Sequence, residues 1–218
     1  MRTILVIGLG RFGSSLCKAL ENEDVDVMAI DRHEPRVNQI APFVTAAQIG
    51  DCTDPIVVDD LDVKDFDVCF VCTSESLENS LVITMLLKER GARKVVTKVN
   101  QEVHAALLLR NGADDVIYPE RDMAVRTAMR FSASKAYDYV ELNNNFGIFE
   151  VETPSKWIGK TIKQVGVRKN YRVNMIAYKF QEKIVGLDRE EYTFNNNDHL
   201  IIAGNRENFK KLIEQDLD

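Results

Sequence analysis

The chain has 218 residues, 45% hydrophobic and 28% charged, so it carries enough apolar side chains for packed cores and is not a disordered chain. Roughly 150 residues per domain allows one or two domains. Lys and Arg number 28 against 34 Asp and Glu, a net charge of −6, which argues against broad binding to a nucleic-acid backbone, since that requires a basic face. No apolar run reaches bilayer-spanning length, and Met1-Arg2 leads into a strand-like run without a cleavage site. A soluble, cytoplasmic protein without a signal peptide is expected.

Strand and helix signals alternate through the first two-thirds. Thr3–Ile7 is an apolar run followed by a glycine-rich turn and by Phe12–Leu20 at helical spacing. Val25–Ile30 ends in Asp31, and Glu34–Ile40 reads as a polar helix. Val44–Ile49, Val68–Cys72, Lys94–Val99 and Val116–Tyr118 are the next strands, with helices over Leu77–Arg90 and Gln101–Arg110. This rhythm predicts βαβ units, a parallel sheet and helices on both faces. A helix opens at Pro119 and carries Met123, Ala124, Ala128 and Phe131 near one face. Beyond Lys135 the pattern turns to alternation. Tyr137–Leu142 and Phe146–Glu152 flank Asn143-Asn144-Asn145 as a hairpin, and Thr161 caps a short helix. Val173–Phe180, Lys183–Leu187 and Leu200–Ala203 read as strands and Arg206–Gln215 as a terminal helix, making a second, α+β unit. The expected domains are 1–136 and 137–218.

Cys69 and Cys72 have CxxC spacing but lie on a strand, where residues at that spacing point to opposite faces. With Cys17 and Cys52 they read as reduced, buried thiols.

Gly8-Leu9-Gly10-Arg11-Phe12-Gly13 matches GxGxxG between a strand and a helix. Gly8 permits the turn, Gly10 the approach of backbone N–H groups to a pyrophosphate, and Gly13 close helix–strand contact. Asp31 ends the second strand, 18 residues past Gly13, where a carboxylate bonds ribose hydroxyls and repels a 2′-phosphate. Arg32 and His33 follow, placed to face an adenine or its phosphate. Arg11 either meets extra phosphate charge, such as the γ-phosphate of ATP, or is a solvated arginine on the first helical turn. Asp51, Cys52 and Thr53 follow the third strand at the edge where such sheets bind ligands; Asp51 and Thr53 either contact the adenosine or cap a helix. Thr73 and Ser74, and Lys98, occupy the same edge, or are a plain turn and a snorkelling lysine.

These segments, with YPERDMA at 118–124, resemble an RCK domain, a Rossmann-type nucleotide-binding unit. GKTIKQVGVRKNYRVNMIAY at 159–178 and NDHLIIAG at 197–204 resemble the RCK C-terminal (TrkA-C) domain. The chain is thus similar over its whole length to the cytosolic regulatory subunits of Ktr/Trk-type potassium transporters. That resemblance implies an N-terminal doubly wound parallel sheet and a small α+β C-terminal domain. It implies homodimers assembled into an octameric ring under a membrane potassium transporter subunit of the KtrB, KtrD or TrkH type. It implies binding of ATP, ADP or NAD(H) by Gly8, Gly10, Arg11, Phe12, Gly13, Asp31, Arg32, Asp51, Cys52, Thr53, Thr73, Ser74 and Lys98. Arg11 would sense the γ-phosphate across the dimer. Glu120 matches a cation-binding carboxylate, or is an acid at a helix N-terminus. Ile162, Arg168, Asn174 and Met175 fall where members bind cyclic di-AMP between subunits. Arg172 stands where a glycine is usual, and Met175 where a branched residue is usual.

Two rival classes fit less well. An NAD-dependent oxidoreductase needs a proton donor, and the three histidines are His33 near the adenine side, His104 on a helix and His199 in the second unit. A transcriptional regulator needs a basic helix-turn-helix, which neither terminus offers.

Overall fold

The computed structural model describes the chain except residues 74–75, 133–135, 144, 182, 188–191 and 215–218. It forms two compact units, Met1–Arg121 and Asp122–Asp218, so most of the helix at 119–132 falls in the second.

The first unit runs β1 (Arg2–Ile7), α1 (Arg11–Leu20), β2 (Val25–Asp31), α2 (Glu34–Ile40), β3 (Ala46–Ile49), α3 (Pro55–Asp59), β4 (Val68–Val71), α4 (Leu77–Glu89), β5 (Val95–Lys98), α5 (Glu102–Arg110) and β6 (Asp115–Ile117). The strands make one parallel sheet in the order β3-β2-β1-β4-β5-β6. This is the expected doubly wound sheet. Its order reverses between β1 and β4, and that switch point opens a crevice at the carboxyl ends of the strands.

Continuous apolar strands suit a sheet covered on both faces. Leu5 and Ile7 of β1 join Ile30, Cys69, Val71, Ile83 and Leu87 in one core. Ile4 and Val6 join Val27, Ala29, Val37, Ile40 and Cys72 in the other. Cys69 and Cys72 therefore point to opposite faces, and Cys17, Cys52, Cys69 and Cys72 are free and buried. Burial pushes the Cys69 and Cys72 thiols up to about 12, so both stay protonated near neutral pH.

Two elements of this unit show why the structure departs from the sequence expectation. β3 starts at Ala46 rather than Val44, because Thr45 turns its hydroxyl to the Val27 N–H at 3.1 Å. The sequence reading has no helix at α3; Asp54 caps it by accepting from the Ile56 N–H at 2.9 Å, with Pro55 in its first turn.

α6 (Pro119–Ser132) leads from the first unit into the second, which continues with β7 (Ala136–Asn143), β8 (Phe146–Glu152), α7 (Ile162–Val165), α8 (Val167–Tyr171), β9 (Val173–Phe180), β10 (Lys183–Gly186), β11 (His199–Asn205) and α9 (Arg206–Glu214). Its strands form an antiparallel sheet in the order β10-β9-β11-β8-β7. An aromatic core holds it: Phe149 stacks on Phe209 at 3.8 Å, and Trp157 meets Tyr171 and Phe194 at 5.0 Å each. Thr161 caps α7 as expected, in a reciprocal pair with Gln164 at 2.8 and 3.2 Å.

Candidate functional site

The glycine loop links β1 to α1, and each of its glycines does different work. Gly8 has φ +92°, and a Cβ there would meet Thr73 Cγ2 at 2.9 Å. A Cβ on Gly13 would lie 2.0 Å from the Gly8 carbonyl oxygen. Gly10 has nothing within 4 Å, so its bareness serves open space rather than internal fit. It is the N-cap of α1 without a side-chain cap, which leaves the first-turn N–H groups of Arg11, Phe12 and Gly13 without intrahelical partners.

Beside the loop lies an open cleft of about 590 Å³. Ile7, Gly8 and Gly10, Ile30 to His33 and Arg36, Gly50 to Thr53, Cys72, Thr73, Asn79 and Ile83 line it. The structure thus brings together Gly8, Gly10, Asp31, Arg32, Asp51, Cys52, Thr53 and Thr73. It adds Arg36 and Asn79, which sequence reasoning did not single out, and Gly50, which opens the segment 50–53 that the sequence places at this edge. Gly50 carries a readable signal, an achiral residue just before Asp51: a Cβ there would meet Val57 and Ile30 at 2.9 and 3.0 Å. Arg36 and Asn79 come from the first turns of α2 and α4 and carry no local signal. Phe12 and Gly13 are in α1 beside the cleft, Arg11 is exposed on its first turn, and Ser74 lies outside the described residues.

Asp31 is buried at 6% exposure. It accepts from the Leu9 N–H at 2.7 Å, tying β2 to the glycine loop, and from the His33 N–H at 2.8 Å. The His33 ring lies at 2.9 Å and the Arg36 guanidinium at 3.5 Å. Burial pushes the carboxyl up, but the N–H groups of His33 and Leu9, the His33 ring and Arg36 outweigh it and hold the pKa below the usual range. Asp51 accepts from the Thr53 N–H and hydroxyl at 3.0 and 2.8 Å, and these bonds lower its pKa too. It therefore shapes its own turn while lining the cleft, with the Arg32 guanidinium 4.0 Å away. Burial pushes the Cys52 thiol up to about 12, which makes it an apolar wall.

Thr73 also lines a neighbouring cavity of about 590 Å³, with Ser76, Ser80, Lys98, Asn100, Gln101 and His104. Lys98 does not snorkel: it is 7% exposed, its ammonium donates to Glu120 at 2.6 Å, and it lies 5.9 Å from the Phe12 ring centroid. That bond holds the Glu120 carboxyl below its usual pKa, with a smaller contribution from Arg11. Among the described residues no group of three or more His, Cys, Asp or Glu converges as a metal site.

In the second unit, Ile162 and Met175 pack against the aromatic core, while Arg168 and Asn174 are exposed. Met175 pairs with Ile202 and Asn174 with Ala203, so strand alternation separates Met175 from Asn174. Arg172 caps α8 at φ +55°, ψ +33°, a left-handed conformation that suits glycine.

Family profiles match the chain with the TrkA-N domain at residues 4–119 and the TrkA-C domain at 147–215. The chain belongs to this family, the RCK-type regulatory subunits of Ktr and Trk potassium transport systems. It is 36% identical over 199 residues to the Ktr system potassium uptake protein C of Bacillus subtilis, covering 91% of this chain and 90% of that protein. It is 32% identical to the Ktr system potassium uptake protein A of Vibrio alginolyticus, with the same coverage of both chains. These relatives are named as potassium uptake proteins and not as enzymes. In fold it is similar to the RCK domain of GsuK (TM-score 0.67, 17% identity, 98% of this chain and 47% of that chain). It is also similar to the GsuK channel bound to NAD (TM-score 0.68, 18% identity, 97% of this chain and 39% of that chain). The chain spans less than half the length of those two solved chains. No described helix is long and apolar enough to cross a membrane.

Proposed function

We propose that the chain is a cytoplasmic, nucleotide-responsive gating subunit of a Ktr/Trk-type potassium transporter. The carrying observation is the cleft at the switch point. A bare Gly10, a buried ionised Asp31 and the apolar wall of Ile7, Ile30 and Ile83 fit a pyrophosphate, a ribose and an adenine in order. ATP, ADP and NAD(H) share that half, and the GsuK channel of the same fold is described bound to NAD. Arg11 is exposed on the first turn of α1, where it can pair with a γ-phosphate that ADP lacks.

The chain works as a homodimer assembled into an octameric ring under the membrane potassium transporter subunit. Met123 and Phe131 on α6 are 58% and 78% exposed, an apolar surface that a second copy would cover. Cyclic di-AMP is the second ligand, held between two C-terminal units with Arg168 facing a phosphate, Asn174 bonding a base or phosphate, and Ile162 and Met175 nearby. A cation joins at Glu120 only if a bound triphosphate or a second chain supplies further oxygen ligands, because Lys98 otherwise holds that carboxylate.

Calorimetric titration with ATP, ADP, NADH and cyclic di-AMP, with a thermal-shift measurement beside it, tests the reading. A ligand at 100 times its Kd should stabilise the fold by about 2.7 kcal/mol. No heat and no shift with any adenine nucleotide would reject it.

A further inference from the structure

An ionised carboxylate has about four lone-pair sites. On Asp31 all four are met from within the chain: Leu9 N–H at 2.7 Å and Arg36 Nη1 at 3.5 Å on Oδ2, and His33 N–H at 2.8 Å and His33 Nδ1 at 2.9 Å on Oδ1. A ribose hydroxyl donating to Asp31 must therefore displace one of them. The Leu9 and His33 N–H groups are fixed by the backbone of the glycine loop and of the entry to α2. The Arg36 bond is already long. The His33 ring makes a well-formed bond, yet its side chain is 44% exposed and free of any duty as helix cap, so it can leave to solvent. Because the carboxylate only accepts, Nδ1 carries the proton in this bond. A second proton on the ring turns it into a charge-assisted pair, which is roughly twice as strong.

We propose that the His33 ring competes with the nucleotide ribose for Asp31, so that protonating His33 weakens nucleotide binding at this cleft. This rests on the nucleotide reading above. The charged groups on the elements packed against His33 and α2 are Asp26 and Asp31 on β2, Asp51 beyond β3, and Arg11 and Lys18 on α1. Arg32, Glu34 and Arg36 lie on its own segment. Asp31 and Asp51 are held below the usual carboxylate range by their hydrogen bonds, so both carry their charge near neutrality. As a side-chain class, imidazole is the one that ordinarily changes charge in the neutral range, whereas arginine and lysine do not.

The test is calorimetry on the full-length protein with ADP and with 2′,3′-dideoxy-ADP, which lacks both ribose donors. Titrations are run at about pH 6 and about pH 8. His33→Ala should bind ADP roughly two- to tenfold tighter than the wild type, matching one hydrogen bond no longer displaced. It should leave dideoxy-ADP unchanged. Wild-type affinity for ADP should fall from the higher pH to the lower, and His33→Ala should lose that slope. His33→Asn places a neutral donor near the Nδ1 position and should restore the weaker affinity without the pH slope. ADP binding that His33→Ala leaves equal or weakens overturns the competitor role alone. A wild type that binds no ADP at either pH overturns the nucleotide reading and this inference with it.

Discussion

A methyl group added at Gly10 or at Gly13 meets opposite surroundings. At Gly13 it would fall 2.0 Å from a backbone oxygen, so Gly13→Ala should cost about 1–3 kcal/mol or more in urea unfolding. At Gly10 it meets open space, so Gly10→Ala should unfold within about 0.5 kcal/mol of the wild type while binding ADP more weakly. Equal binding would remove Gly10 from the phosphate path. Asp31→Ala should weaken ATP, ADP and NADH together, since all three share the adenosine ribose. Arg11→Ala should weaken ATP more than ADP; equal losses in titration would remove the γ-phosphate role. Asp31 also links stability to pH. Its folded pKa is depressed, so its contribution is present above the unfolded value of about 3.9 and is lost as pH falls through the lower folded value. Asp31→Asn should flatten that acid limb in a urea series run across pH; an unchanged limb would mean that the carboxylate is no better held when folded.

The elements that were legible are those whose side chains repeat. β1 alternates between two cores, and the run Thr3–Ile7 already shows it. The hairpin of β7 and β8 follows from period-two patterning around asparagines. α3 was not legible, because a five-residue helix is too short for a periodic face, and only the Asp54-Pro55 pair marks it. The site divides similarly. The glycine loop, Asp31, Asp51 and Thr53 announce themselves by position after a strand, whereas Arg36 and Asn79 reach the cleft from helix faces that only the folded sheet brings near. Lys98 ends a strand too, yet its buried side chain turns into the neighbouring cavity and pairs with the exposed Glu120. At the junction of α8 and β9, Arg172 holds a left-handed conformation, so Arg172→Gly should raise the unfolding free energy by about 0.5–1 kcal/mol. A lower melting temperature would show that the arginine side chain contributes more than its backbone costs. On α6, Met123→Glu with Phe131→Glu should shift light scattering toward smaller species; an unchanged mass would place the oligomer surface elsewhere.

For the whole molecule, binding alone does not make a switch. A ligand with equal affinity for two shapes shifts neither, so gating requires ATP and ADP to prefer different states of the assembly. On the proposed reading Arg11 would give that preference a source, by pairing with a phosphate that ADP lacks. If the second unit binds the proposed second ligand, that ligand would bias the same equilibrium, and by linkage nucleotide and second ligand would alter each other's affinity by equal factors. The most direct measurement is potassium flux into vesicles that hold a Ktr-type membrane subunit, with this protein added together with ATP, with ADP or without nucleotide. The account predicts that flux differs between ATP and ADP and that Arg11→Ala narrows the difference. Flux identical under all three conditions would contradict it.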